Sequence, residues 1–319
     1  VDLGCGPGWH VAALGDRAVA LDASRSMLDL VGRRAPTAPR IVASVSALPF
    51  RSSGLAGALA SRVYVHLPQI AVPAALADLH RSLRVDSPVE LVVFGGDARE
   101  ADFGAVPDDD YPGRRYSAWS GDRLADVIDG AGFAVDRCEV VPGAGLRRIE
   151  VSLRRLRTLP DTVGPGMRLL VCGLNPSGYS ADIGVGFGRP GNRFWPAALA
   201  AGLVTVDRDP RHALRAHGIG MTDLVKRATT RASDLGAEEY SAGIDRLGRL
   251  CDWLVPRAVC VVGLAGWRAA VDRRAAPGWQ GRRLGGRPVY VMPSTSGLNA
   301  HSRLSDLTEH LGAAAAGRD

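Results

Sequence analysis

The chain holds a single lysine, Lys226, among its 319 residues, and no two of its five cysteines form a Cys-x-x-Cys pair. Cys5, Cys138, Cys172, Cys251 and Cys260 are odd in number and widely spaced. That spacing argues against a disulfide framework, a zinc site or an iron–sulfur cluster, so no metal is expected. No apolar run reaches the length of about eighteen residues that marks a membrane-spanning helix. The charged start, apolar stretch and small-residue cleavage site of a signal peptide are also missing. The expected compartment is a reducing cytoplasm. There is no initiating Met either: the chain opens Val1-Asp2-Leu3-Gly4 inside what reads as a core strand, so its start is expected to be trimmed or misplaced.

What is present suits a folded protein. Hydrophobic residues make up 46% and charged residues 23%, a globular rather than a disordered balance. A length of 319 residues exceeds one ordinary core, so two domains are expected. The net charge of +6 is carried almost wholly by arginine. This favours a polyanionic partner, although a G+C-rich genome would also enrich arginine, alanine and glycine.

Short apolar runs at Val1–Leu3, Ala18–Leu21, Ile41–Val42, Gly57–Ala60 and Val89–Phe94 alternate with amphipathic stretches such as Ala71–Leu83. Such alternation reads as a doubly wound α/β sheet. A closing hairpin is expected from Ala134–Val141 to Leu146–Leu153, turning through Pro142-Gly143-Ala144-Gly145. The Pro/Gly-rich stretch Leu159–Gly166 then separates two alternating patterns, which puts a boundary near residue 156: domains over 1–156 and 157–319. In the second, strands are expected at Met167–Cys172, Ala258–Gly263 and Pro288–Met292, and a helix at Glu238–Leu254. The Ala313–Ala316 tail is expected to fray.

Asp2-Leu-Gly4-Cys-Gly6-Pro-Gly8 closes the first strand, and Asp22 ends the second. Trp9 stands where the dinucleotide fingerprint needs its last glycine, so the motif is Asp-x-Gly-x-Gly-x-Gly. With Ala47-Leu-Pro-Phe50, Val65-His66-Leu67 and Leu79–Leu83, this half resembles the class I S-adenosylmethionine-dependent methyltransferases over about residues 1–140. The resemblance implies a Rossmann-like sheet, truncated at its start. It also implies S-adenosylmethionine as cofactor, held by Asp2, Gly4, Gly6, Gly8 and Asp22, with Asp22 accepting the ribose hydroxyls. Ser44 departs from the pattern, standing where family members carry an acidic residue for the adenine amino group.

The second half carries Gly173-Leu-Asn175-Pro-Ser-Gly-Tyr, then Gly186-Phe187-Gly-Arg-Pro190 and Gly191-Asn192-Arg193-Phe194-Trp195. Gly220-Met-Thr222-Asp-Leu-Val225-Lys-Arg227 with Thr229 follows, and Met292-Pro-Ser294-Thr-Ser296-Gly297-Leu298-Asn299 comes last. In this order and spacing the segment resembles the mismatch-specific uracil/thymine-DNA glycosylases of the uracil-DNA glycosylase superfamily. The resemblance implies a three-layer α/β/α domain acting on duplex DNA that carries a mismatched or damaged pyrimidine, with no cofactor, in a cytoplasmic, nucleoid-associated protein. It implies that Asn175 holds the attacking water and that Phe187 stacks on the extruded base. Asn192 would line the pocket, while Ser296, Gly297, Leu298 and Asn299 would form the wedge loop that fills the vacated stack.

These residue types suit base excision. A base must leave the duplex to be reached, at a cost of a few kcal/mol that a mismatch lowers. An apolar wedge refills the stack, an aromatic platform contributes ~1–3 kcal/mol, and Asn orients a water without acting as a strong base. Each assignment has a plainer alternative: Phe187 as a core aromatic, Asn192 as a cap, Leu298 as a buried side chain. Arg193, Phe194 and Trp195 read as fold support, and Arg227 and Thr229 as structural or near DNA. Asp223, where relatives carry Asn or Lys, and Ser294-Thr295, in place of Asn-Pro, leave the preferred base open. Three functions therefore compete: a glycosylase joined to a methyltransferase-like domain, a methyltransferase whose second half only binds nucleic acid, and a non-catalytic DNA-binding scaffold.

Overall fold

The structure is a computed structural model that describes residues 1–96, 104–105, 114–142 and 147–317. The chain divides into two compact units, Val1–Leu156 and Arg157–Asp319.

The first unit alternates strands and helices: β1 (Asp2–Leu3), β2 (Ala20–Asp22), α1 (Arg25–Arg34), β3 (Arg40–Val42), β4 (Ala58–Ser61), α2 (Val72–Ser82) and β5 (Pro88–Gly95). These are followed by β6 (Gly104–Ala105), β7 (Arg115–Tyr116), β8 (Ala118–Trp119), α3 (Gly121–Gly130), β9 (Phe133–Val141) and β10 (Arg147–Arg155). The sheet order is β3-β2-β1-β4-β5-β10-β9, with β8 added beside β5, while β6 and β7 pair separately. Neighbours from β3 to β5 run parallel, and β10 joins antiparallel to both β5 and β9. The turn expected at Gly143–Gly145 lies outside the described residues.

Local sequence explains these elements. Ser24 caps α1 by accepting the Met27 N–H at 3.4 Å. Along α2, Leu76 and Leu79, with Leu83 just beyond its end, recur at helical spacing and are buried. In β5 the alternating Val89, Leu91 and Val93 are buried, as a half-covered strand requires.

The second unit contains β11 (Leu169–Gly173), α4 (Gly178–Ile183), α5 (Phe194–Ala200), α6 (Pro210–His217), β12 (Ile219–Asp223) and α7 (Ala237–Leu254). It continues with β13 (Val259–Val262), α8 (Leu264–Ala270), β14 (Gly278–Trp279), β15 (Val289–Met292) and α9 (Leu304–Ala316). The sheet order is β12-β11-β13-β15-β14, parallel except for β14 at its edge. β11 and β13 are buried at every position and read as continuous apolar runs, the signature of parallel strands covered on both faces.

Two sequence readings change. β12 lies inside a stretch read only as a motif; its Gly220 and Thr222 hid the apolar run, and its pairing with β11 decides the strand. The alanine tail does not fray: α9 runs to Ala316, and Ala314 is fully buried in the core with Leu307 and Leu311. Packing at this spacing overrides the simplicity of the sequence.

In both sheets the first strand has neighbours reached in opposite directions: β2 and β4 flank β1, and β12 and β13 flank β11. Such a topological switch point opens a crevice at the strand's carboxyl end. The glycine loop follows β1, and Asn175 follows β11.

Candidate active sites

In the first unit, Gly4, Gly6 and Gly8 adopt φ of +63°, +51° and +84°, values that side-chain-bearing residues rarely take. Their roles differ. A Cβ at Gly4 would collide with the Val63 side chain, and one at Gly8 would lie 3.0 Å from Val31. A Cβ at Gly6 would meet nothing within 4 Å, so the loop backbone there faces open space. The Asp22 carboxylate accepts the Gly6 N–H at 2.9 Å and the Ser24 N–H at 2.8 Å. Both oxygens are thereby fixed, and each retains a lone pair for a hydroxyl donor. Asp2 is buried beneath the loop, and its Oδ2 has no partner among the described residues. Burial pushes its pKa up to about 6 against the opposing charge of His10. Trp9 stands exposed at the loop's end, with the Arg34 guanidinium stacked 3.8 Å above its ring.

In the second unit, Ser177 caps α4 by accepting the Ser180 N–H at 3.2 Å, which turns the chain sharply after Asn175-Pro176. The Asn175 amide nitrogen donates to the Thr229 hydroxyl at 2.8 Å and to the Arg227 carbonyl at 3.0 Å. Both donors are thus committed, and no described residue donates to Oδ1. The Arg227 side chain is held by Glu239 through two contacts of 2.8 Å.

Phe187 is half-buried and stacks on the fully buried Phe194, with centroids 4.3 Å apart and planes inclined by 22°. Its φ of +56° is costly for an aromatic residue. Asn192 lies one residue before Arg193, the N-cap of α5, and its Oδ1 accepts the Phe194 N–H at 2.9 Å, leaving the amide group as a donor.

Leu298 is 90% exposed, which removes the reading of it as a buried side chain. The loop carrying it is tied from within. The Arg193 guanidinium donates to the carbonyls of Ser296 at 3.1 Å, Asn299 at 2.6 Å, and Ser302. The Asn299 amide donates to the Ser294 carbonyl at 2.8 Å and the Ser302 hydroxyl at 3.2 Å. The Ser296 hydroxyl accepts the Leu298 N–H at 3.3 Å. A Cβ on Gly297 would come within 2.9 Å of the Gly191 carbonyl, so only glycine lets the loop lie this close to the segment before α5. Ser296 and Asn299 therefore shape the loop, and Leu298 forms its exposed tip.

Beneath β12 lies a buried charged cluster. Asp161 binds the Lys226 ammonium and the Arg246 guanidinium, each at 2.8 Å, and accepts the Thr222 hydroxyl at 2.6 Å. Burial alone would raise its pKa, but Arg246, Lys226 and these hydrogen bonds together outweigh it and hold Asp161 below the usual carboxylate range. The only lysine in the chain is thus committed to an ion pair.

Three residues read from the sequence only as structural, or near DNA, support the site directly. Thr229 orients Asn175, Phe194 backs Phe187, and Arg193 ties the loop. All lie inside the recognised motifs, which was the available signal. Two of them have partners far away in sequence, 54 residues for Thr229 with Asn175 and 103 to 109 for Arg193 with the loop carbonyls.

Residues 160–314 match the family model of the uracil DNA glycosylase superfamily, and residues 1–86 match that of a methyltransferase domain. Similar solved structures include an S-adenosylmethionine-dependent methyltransferase from Methanosarcina mazei, at 16% identity over 49% of this chain and 91% of that one, with a TM-score of 0.44. Another is the 1,6-didemethyltoxoflavin-N1-methyltransferase of Burkholderia thailandensis, at 24% identity over 49% and 69% of the two chains, with a TM-score of 0.42. The chain therefore joins a methyltransferase domain to a domain of the uracil DNA glycosylase superfamily.

Proposed function

We propose that the second unit, residues 157–319, is a DNA glycosylase that hydrolyses the N-glycosidic bond of uracil, or a related damaged pyrimidine, mispaired with guanine in duplex DNA. The observation that carries this reading is the fixed amide of Asn175. With both N–H donors engaged by Thr229 and Arg227, Oδ1 is the atom left to accept a hydrogen bond from water. An amide oxygen orients a water without removing its proton outright. The attack therefore relies on positive charge that develops on the sugar as the base departs. Phe187, backed by Phe194, offers its other face to the extruded base, and Leu298 fills the space that base leaves. The hydrogen bond that Asn192 Oδ1 accepts from the Phe194 N–H holds the start of α5, with Phe194, in place behind the platform. Asn175→Ala is the test. Single-turnover release of uracil from a G·U duplex should fall by on the order of 100-fold, as for loss of one catalytic hydrogen-bonding group, while duplex affinity holds. Wild-type rates in the variant would remove Asn175 from the mechanism.

The first unit, residues 1–156, is proposed to bind S-adenosylmethionine, which supplies an activated methyl group when bound. The open space at Gly6 admits a ligand against the loop backbone, and the two fixed Asp22 oxygens suit the ribose hydroxyls. The buried carboxyl of Asp2, with its orphaned oxygen, adds negative potential beneath the loop, which suits a cationic ligand.

A further inference from the structure

The crevice of the second unit opens at the carboxyl ends of its strands, yet arginines also gather at the opposite, amino-terminal rim of that sheet. The register pairs Leu170 with Val259 and Val259 with Val289, so Arg168, Arg257 and Arg287, each two residues earlier, stand side by side. The ladder reaches that level: the Arg257 N–H donates to the Met167 carbonyl and the Val259 N–H to the Pro288 carbonyl, both at 3.0 Å. Neighbouring strands lie about 4.8 Å apart, so these are close like charges. Arg282 and Arg283 extend the row on the hairpin between β14 and β15. Its turn, Gly285-Gly286, has φ of +49° and +73° and is closed by hydrogen bonds of 3.1 and 2.8 Å between Leu284 and Arg287. A Cβ on Gly285 would collide with the α7 backbone at Gly248 and Asp252, so glycine alone lets the hairpin press against that helix.

Helix capping explains only the first of these side chains. Cations stabilise carboxyl-terminal helix ends, and the Arg168 guanidinium donates to the carbonyl of His217, the last residue of α6, at 2.8 Å. Arg283 and Arg287 donate only to carbonyls of their own turn, Gly286 at 3.0 Å and Gly285 at 3.4 Å. Among the described residues, the side chains of Arg257 and Arg282 have no partner, and no acid pairs with any of the four. Asp252, exposed on α7 beside the turn, forms no ion pair with them. Arg257, Arg282 and Arg283 are exposed and Arg287 is half-buried. Like charges held this close repel one another, and the fold holds them on a pinned hairpin without supplying a counter-charge.

We propose that Arg257, Arg282, Arg283 and Arg287 form a second DNA site, which grips the phosphate backbone of a duplex other than the one in the crevice. The guanidinium fork matches phosphate oxygens, and a row of phosphates supplies the missing counter-charge. Such contacts hold a backbone without reading its sequence. β11 spans five residues, which puts the rim about 15 Å below the crevice, so a duplex lying across the crevice does not touch it. The protein thereby bridges two DNA segments. The inference rests on the glycosylase reading only for the duplex in the crevice.

The test tethers a uracil-free duplex to beads, adds the full chain, washes, and measures retention of a second, fluorescent uracil-free duplex over a range of salt. Wild type should retain the second duplex. The triple variant Arg257→Gln, Arg282→Gln, Arg283→Gln should retain about tenfold less, with a salt slope shallower by roughly 0.9 for each phosphate contact removed. Its single-turnover uracil release from a G·U duplex at saturating enzyme should equal that of wild type. Should the triple variant lose thermal stability, the exposed single substitution Arg282→Glu takes its place. Failure of wild type to retain a second duplex overturns the proposal whether or not any variant folds. So does undiminished retention by a variant, or a variant of wild-type thermal stability that loses uracil release in step with retention. Retention by wild type that the variants lose, without uracil release by any of them, would support the rim site and instead reject the glycosylase reading.

Discussion

Truncating Leu298 to alanine separates a wedge from a fold residue. Leu298 is 90% exposed, so the folded protein gives up almost no buried area and its stability should move by less than about 0.5 kcal/mol. The loop should also keep its shape, because its ties run through Arg193, Asn299 and Ser296 rather than through the leucine. The loss appears only when the tip enters the base stack. Alanine lacks three of the leucine carbons, and at roughly 0.8 kcal/mol per buried carbon group the flipped state loses up to about 2 kcal/mol. That corresponds to about 30-fold in the equilibrium for extrusion. The assay is single-turnover base release from G·U, A·U and G·T duplexes and from single-stranded uracil DNA, at one salt concentration because phosphate contacts make affinity salt-dependent. Wild type should favour G·U over A·U, since the mispair opens more easily, and over the single strand, which has no orphaned guanine to read. The variant should lose rate on the duplexes and keep it on the single strand. Equal losses on both forms, or none on either, would refute the wedge assignment.

Two further outcomes follow from the charged groups. Asp161→Ala should destabilise the protein by about 3–5 kcal/mol at neutral pH, because Lys226 and Arg246 would be left buried without their counter-charge; a urea-midpoint shift worth under 1 kcal/mol would contradict this. With the Asp161 pKa lowered, its stabilisation in the wild type is present above the ordinary carboxylate range and is lost as pH falls through the lowered value. Asp22→Ala should abolish the heat of S-adenosylmethionine or S-adenosylhomocysteine binding in calorimetry on the full chain; heats equal to wild type would remove Asp22 from the cofactor site.

The sequence by itself determined the elements whose pattern is local. Val89–Phe94 alternates, Leu76, Leu79 and Leu83 recur at helical spacing, and β11 is an unbroken apolar run, so strand, helix and buried strand were each legible. The ordered motifs likewise brought Asn175, Phe187 and Gly297-Leu298-Asn299 forward as candidates, because residue type and spacing are properties of the chain. Only the tertiary structure decided what those residues have around them. β12 is a strand because β11 pairs with it, although its glycine and threonine break the apolar pattern. The Asn175 amide is oriented by Thr229 and Arg227, more than fifty residues away, and the loop of Leu298 is tied by Arg193, more than a hundred residues away. Asp223 shares a pocket with Phe187 because β11 and β12 lie side by side, at a place where Gly173 leaves room for its carboxyl group. Hydrogen bonds and burial depend on distances in space, and the sheet order that sets those distances is a property of the folded chain rather than of any local stretch of it.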